Sequence, residues 1–308
     1  MRGQSVRRIL GTLFRSPIDL ETLLENNPAL PANLAPSDRR AGVGGSSVVR
    51  WEHLWSPSDN NHHRLRPDAG LLPLHWQPLD GPRRRWTDLS LVRMFADVHI
   101  IPEWTCDITE ITAIHASESD LSIFENLDEF AETRCGELIK DVSIAGLKRN
   151  LAHDGIRILN TASHADYLQR WAWDGRLFLM NDGGSHHFAA ARWLARKLGV
   201  PVPIRSRLRT VSVRRDAVEQ LVARYDLFAV NGHQDASFSC ALYEALRSSG
   251  TPFLLRALPA SLGCGEILIF ESDDRRSWPV VDALRRHGAT CMSPVLEKLS
   301  CVPGVEPE

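Results

Sequence analysis

The alternation of hydrophobic and polar positions changes character near residue 105. Upstream, apolar residues are interrupted by prolines at 17, 28, 31, 36, 57, 67, 73, 78, 82 and 102, and proline forbids long helices. The pattern there predicts a short amphipathic helix near residues 4–14 and another near 18–25. An irregular wrap follows, with Trp51, Trp55, Trp76, Trp86 and Trp104 docking on the next domain. Residues 32–61, rich in Ser, Gly, Asn and Pro, read as a mobile stretch.

Beyond residue 105 the periods become regular. "ITEITAI" (108–114) alternates as a strand, 118–133 reads as an acidic helical stretch, and 136–153 is mostly helical with Gly146 as a weak point. "HDGIRILN" predicts a helix end with Gly155 as its left-handed cap, then a strand over 156–160. "RLFLMN" is apolar at four successive positions, the pattern of a strand buried on both faces. A helix over 186–198 places Phe188, Ala191, Ala195 and Leu198 on one face, Arg192 and Arg196 on another, and ends at Gly199. "VPVPIRSRLRTVSV", with Pro201 and Pro203, reads as an edge-like strand.

The last third nearly repeats itself. "DLFAVN", "SFSCALYEALRSSG" and "PFLLRAL" give strand, helix, strand, and "EILIFE", "WPVVDALRRHG" and "TCMSPVL" give the same order. Two such halves predict a ferredoxin-like βαββαβ domain. The expected organisation is α+β: an irregular N-terminal region 1–105, a central domain 106–224, the ferredoxin-like domain 225–301 and a tail 302–308.

Composition narrows the classes. Hydrophobic residues at 43%, charged residues at 24% and a net charge of −2 describe a globular chain with no excess of positive charge for nucleic acid. The "GPRRRW" segment (Arg83, Arg84, Arg85) and Arg205, Arg207 and Arg209 would serve nucleic acid only as one face, so such a partner is disfavoured. Six scattered cysteines without a CxxC pair point to neither a zinc cluster nor a disulfide framework. With no apolar run near membrane-spanning length, the expected setting is cytoplasmic.

The chemistry concentrates at "LFLMNDGGSHHFAAARWLARKLG", residues 177–199. A buried strand running through two glycines into a helix leaves the first helical N–H groups unpaired, where the helix dipole favours an anion. Gly183 and Gly184 permit positive φ and close approach of a ligand, Ser185 can cap the helix or donate to a phosphate, and His186 and His187 titrate near neutrality. On these residues alone, a serine-capped helix with surface histidines accounts for the pattern better, because short glycine-rich turns are frequent and weakly specific.

"GGSHHFAAARWLARKLGVPVPIRSRL" resembles the signature segment of the ParB/sulfiredoxin superfamily, and "LKRNLAHDGIRIL" resembles the helix, glycine and strand preceding it. The resemblance covers roughly residues 106–225. It implies a turn that binds nucleotide phosphates, with Gly184 at the motif glycine, Ser185 at the variable position, His186 at the histidine or first arginine and His187 at the phosphate-clamping arginine. Serine stands where sulfiredoxins have their reactive cysteine, so sulfinic acid reduction is not expected. No ENxxR-like box or basic helix-turn-helix accompanies the motif, which disfavours a DNA clamp.

The expectation is therefore a nucleotide- or phosphate-ligand-binding protein, its chemistry, if any, being phosphoryl transfer or nucleotide hydrolysis with a nucleoside triphosphate and Mg²⁺. Asp182 would orient Mg²⁺ or a nucleophile. Gly183, Gly184 and Ser185 would hold phosphate, His186 and His187 would neutralise developing charge, and Arg192 would be a second cation. The competing expectation is a non-catalytic module with a degenerate ParB-like domain that binds a protein partner.

Overall fold

A computed structural model describes residues 19–26, 34, 42–55, 71–75, 85–88, 95–159, 166–231, 236–262 and 265–301. The expected helix at 4–14, the arginines at 83 and 84 and Trp76 lie outside them. The strands are β1 Leu71–His75, β2 Arg85–Asp88, β3 Ala96–Asp107, β4 Ala113–Ile114, β5 Tyr167–Trp171, β6 Leu177–Met180, β7 Pro203–Val213, β8 Tyr225–Val230, β9 Leu254–Ala257, β10 Glu266–Glu271 and β11 Thr290–Cys291. The helices are α1 Leu20–Glu25, α2 Leu127–Arg134, α3 Gly136–Ile139, α4 Ile144–Leu151, α5 Ser185–Leu198, α6 Arg215–Arg224, α7 Ala236–Ser248, α8 Trp278–Arg286 and α9 Ser293–Ser300. The chain is thus mixed α and β. It divides into two units, one comprising Met1–Leu34, His53–Arg93 and Asp216–Glu297, the other Ala35–Glu52, Met94–Arg215 and Lys298–Glu308.

The second unit holds a five-stranded mixed sheet in the order β3-β7-β5-β6-β4. β3 and β7 pair antiparallel, β7 and β5 parallel, β5 and β6 antiparallel, β6 and β4 parallel. Successive strand residues face opposite sides. Leu168, Leu177, Leu179 and Leu208 enter a core with Phe130, Leu147, Phe188 and Leu194 of the helices, while Trp171, Phe178 and Val211 pack with Val48 and Ala113 on the other side. Residues 42–52 are fastened there: the Trp171 indole donates to Glu52 Oε1 at 2.8 Å, Trp173 donates to the Val49 carbonyl at 2.9 Å, and Arg176 donates to the Gly42 carbonyl at 2.8 Å.

Several expectations are corrected here. The expected boundary at 105/106 falls inside β3. Residues 108–110 form a 3-10 turn capped by Asp107, with only Ala113–Ile114 as strand. Residues 157–159 form a 3-10 turn where a strand was expected. β7 lies between β3 and β5; its prolines are accommodated because Pro203 is the first strand residue and Pro201 precedes it. The expected helix over 136–153 is two pieces, broken at 140–143.

The first unit holds a four-stranded sheet, all antiparallel, in the order β11-β8-β10-β9. Along the chain its elements run β8, α7, β9, β10, α8, β11. Phe228, Val230, Leu268 and Phe270 pack against Leu242, Leu246, Val280, Val281 and Leu284 of the two helices, joined by Leu20, Leu23 and Leu24 of α1. Gly250 and Gly288 take positive φ just past α7 and α8, as the repeat predicts.

Candidate functional site

The junction of β6 and α5 is built by one buried amide. Asn181, which follows β6, accepts the Ala116 N–H at 3.2 Å and donates from Nδ2 to the carbonyls of Ala116 and Gly183, both at 2.9 Å. This fastens the 116–119 loop to the turn. Gly183 and Gly184 have φ of 151° and 65°, values that L side chains strain to adopt. A Cβ on Gly184 would lie 2.4 Å from the backbone carbonyl of Gly155, and one on Gly155 would lie 2.9 Å from Gly184 Cα. Gly155 has no positive φ among the described glycines. Its role is close packing, not the left-handed cap expected from "HDG".

Gly184 is also the N-cap of α5 and offers no side chain to it. The expectation that Ser185 caps the helix is therefore corrected. Ser185 is the first helical residue, buried, and its hydroxyl donates to Ser117 Oγ at 2.9 Å. Among the described residues, the N–H groups of Ser185, His186 and His187 meet no protein acceptor. They open into a cavity of about 390 Å³ lined by Ser117, Glu118, His153 and the run Asp182 to His187.

The histidines are held individually. His186 Nε2 lies 3.0 Å from Ser119 Oγ, and its ring packs near Phe130. His187 Nδ1 lies 3.0 Å from Asn150 Oδ1 on α4. The His153 ring stacks on that of His187 with centroids 3.7 Å apart and planes 11° from parallel, while His153 Nδ1 accepts the Gly155 N–H at 3.0 Å. Burial holds the His187 pKa below the ordinary imidazole value, and His153 and His186 lower it further.

Arg157 donates to the Asp182 carbonyl at 2.6 Å and lies 3.6 Å from its carboxylate. Behind this contact, the carboxylate of Asp166 is buried and directed at the N–H groups of Asp182, Arg157 and Ile158 without closing a full hydrogen bond to any. Burial raises its pKa more than those N–H groups and Arg157 lower it.

The structure thus brings Asp182, Gly183, Gly184, Ser185, His186 and His187 around one cavity, and excludes Arg192. That side chain is buried, with Nε donating to the Ile111 carbonyl at 2.7 Å and its other nitrogens to the Thr109 carbonyl and Asp128. Arg196 pairs with the same carboxylate. Arg192 is a core tether between α5, α2 and the 108–111 turn; the expected polar helix face is buried at this position.

The metal expectation is not favoured by the donor set. Asp182 is highly exposed and paired with Arg157, and no trio of His, Cys, Asp or Glu among the described residues is arranged to hold an ion. Cys106 and Cys135 are buried thiols with pKa pushed up to about 12 by burial, so neither supplies a thiolate at neutral pH. No helix among the described residues is long and apolar enough to cross a membrane.

The site is thus an open helix N-terminus facing imidazoles in a small cavity of a unit of mixed α and β structure. The chain belongs to DUF6685, a family of unknown function whose model matches residues 101–301. No match is found among curated proteins or among solved structures.

Three of the residues that shape this cavity, Asn150, His153 and Ser117, were not among the expected ones. They reach it from elements 30 to 70 positions away in sequence, where no local pattern marks them. Asn181 lies inside the 177–199 segment, and a buried amide between a strand and a glycine turn is a usable signal for a loop clasp.

Proposed function

We propose that the cavity at the N-terminus of α5 binds the phosphate of a nucleotide or a small phosphorylated ligand, in a domain of ParB/sulfiredoxin type. The observation that carries this reading is the set of three N–H groups, Ser185 to His187, left without protein acceptors at the head of a 14-residue helix. Helix dipole and donors together favour an anion there. Arg157, beside the turn, offsets the charge of the Asp182 carboxylate 3.6 Å away. The succession of β6, glycine turn, α5 and β7 agrees with the resemblance at 177–213, and the β11-β8-β10-β9 order agrees with a ferredoxin-like second domain.

Thermal unfolding with ATP, CTP, GTP and UTP, each with and without Mg²⁺, tests the proposal. A ligand at 100 times its Kd adds about 2.7 kcal/mol of stability. No shift with any nucleotide or with inorganic pyrophosphate rejects the phosphate reading. The magnesium arms ask whether the ion arrives on the nucleotide, since the protein's own donors do not fit a resident one.

A further inference from the structure

The hydrogen bonds around Asn150 fix more than the position of His187. Asn150 is buried, and its Nδ2 donates to the carbonyls of Leu138 at 2.9 Å and Gly146 at 3.1 Å. An amide nitrogen has two hydrogens, and both are used. The oxygen is therefore the atom facing His187 Nδ1 at 3.0 Å, and an amide oxygen only accepts. His187 must carry its proton on Nδ1. In the neutral ring Nε2 then has a lone pair, and among the described residues no protein donor meets it. His153 covers one face of the ring, and His187 lines the cavity.

The motif position that resembles a phosphate-clamping arginine thus holds a proton acceptor with a fixed tautomer. We propose that His187 Nε2 is the general base that activates water against a phosphoanhydride of a nucleoside triphosphate bound at the head of α5. This rests on the phosphate reading above and assigns the site a hydrolytic reaction. The water oxygen bonds the terminal phosphorus as its proton passes to Nε2. The bridging P–O bond breaks with its electron pair leaving on the nucleoside diphosphate, and the proton on His187 then passes to solvent. A clamp would need His187 protonated; a base needs it neutral.

The groups facing the ring favour the neutral form. Asn150 from α4 is uncharged, His153 and His186 would repel a second cation, and Asp182 on the cavity wall is engaged by Arg157. Glu118 is the remaining carboxylate lining the cavity. The base reading therefore predicts hydrolysis that is lost toward acid as Nε2 takes up a proton, whereas a clamp predicts affinity that rises toward acid.

Three measurements on the full chain decide it. Long-range ¹⁵N–¹H correlation at pH 8 should show His187 protonated at Nδ1 and bare at Nε2, with Asn150→Ala releasing that preference; the opposite tautomer overturns the proposal whether or not nucleotide binds. Equilibrium dialysis and single-turnover hydrolysis of the four nucleoside triphosphates should show His187→Ala lowering the rate about 100-fold or more, the usual contribution of a general base, with Kd within about 3-fold. Added imidazole should restore part of the rate in His187→Ala, which a merely structural role would not allow. Absence of binding sinks the phosphate reading. Binding without hydrolysis, or a His187→Ala defect confined to Kd, sinks the base alone.

Discussion

Replacing Gly184 by alanine separates what this glycine does for the fold from anything it does for a ligand. The added Cβ would stand 2.4 Å from both the carbon and oxygen of the Gly155 carbonyl and 3.0 Å from Ile156 N. These are backbone atoms, so no side-chain rotation relieves the clash. At φ 65° an L residue costs about 1–2 kcal/mol, and overpacking a tight contact costs about 1–3 kcal/mol. Together the loss is about 2–5 kcal/mol. At roughly 2–4 °C per kcal/mol for a unit of this size, the ligand-free melting point should fall by about 4–20 °C in scanning calorimetry.

Gly183→Ala is the matched control. Its Cβ would meet only a terminal nitrogen of Arg157, at 3.3 Å, and that flexible side chain can shift. Its smaller loss would come from the backbone conformation alone. A Gly184→Ala protein that melts within about 1 °C of the parent would refute the packing account and show that the 155–156 segment yields. Larger substitutions such as Gly184→Val test folding before they test binding, so the site has to be probed by direct ligand titration of the parent and by the hydrolysis rate of His187 variants instead.

Other outcomes follow from the same geometry. Arg192→Met should destabilise the protein in urea unfolding by about 1–3 kcal/mol for each buried acceptor it leaves unsatisfied, because it takes the donor from the Ile111 and Thr109 carbonyls and removes one of the two arginine partners of the half-buried Asp128, while nucleotide affinity stays within about 3-fold if the protein is assayed folded. Because the folded-state pKa of His187 is depressed, its contribution to stability is present above the ordinary imidazole pKa and is lost as pH falls from there through the folded value; His187→Gln should flatten that part of the urea-derived stability profile. Asp166 has the opposite sign, since its folded pKa is raised: its contribution is present below the ordinary carboxyl pKa and is lost as pH rises through the folded value, so Asp166→Asn should gain on the parent between pH 4 and pH 7. An Asn variant that loses ground over that range would mean the N–H groups of Asp182, Arg157 and Ile158 outweigh burial.

The elements with strong periodicity were legible in the sequence. The apolar run of β6, buried at Leu177, Phe178 and Leu179, and most of the paired strand-helix-strand halves of the last third follow directly from pattern, but of the strand expected over "TCMSPVL" only Thr290–Cys291 is strand and Ser293 opens α9. The failures have particular physical causes. Prolines at 201 and 203 suggested an edge, yet neither occupies an interior ladder position, so β7 pairs on both sides. Ile156 is buried just before a 3-10 turn and Ile158 is buried within it, where alternation in a short apolar run mimics a strand. Arg192 looked like a polar helix face because a charge partner 64 residues away is invisible to a helical wheel. The turn residues were legible as a group, but the atoms that assign them roles, Asn150 Oδ1 above all, come from other helices.

The packing of two glycines also explains why a helix head stands open. Most helices satisfy their first N–H groups with a side chain at the N-cap, and Ser185 is one residue too late to supply it. The N-cap position is occupied by Gly184 because nothing larger fits against Gly155. A requirement of backbone packing therefore removes the usual cap and leaves three donors to be satisfied by water or by an anion. Around those donors the fold places hydroxyls on Ser117 and Ser185 and rings on His153, His186 and His187, each oriented by its own partner. A turn that served only to join strand to helix would be more stable with an N-cap side chain, as a shift of the Gly155 segment would permit. The present arrangement forgoes that cap and holds His187 through a buried amide on another helix, which ties the geometry of the open end to the chemistry of the imidazole beside it.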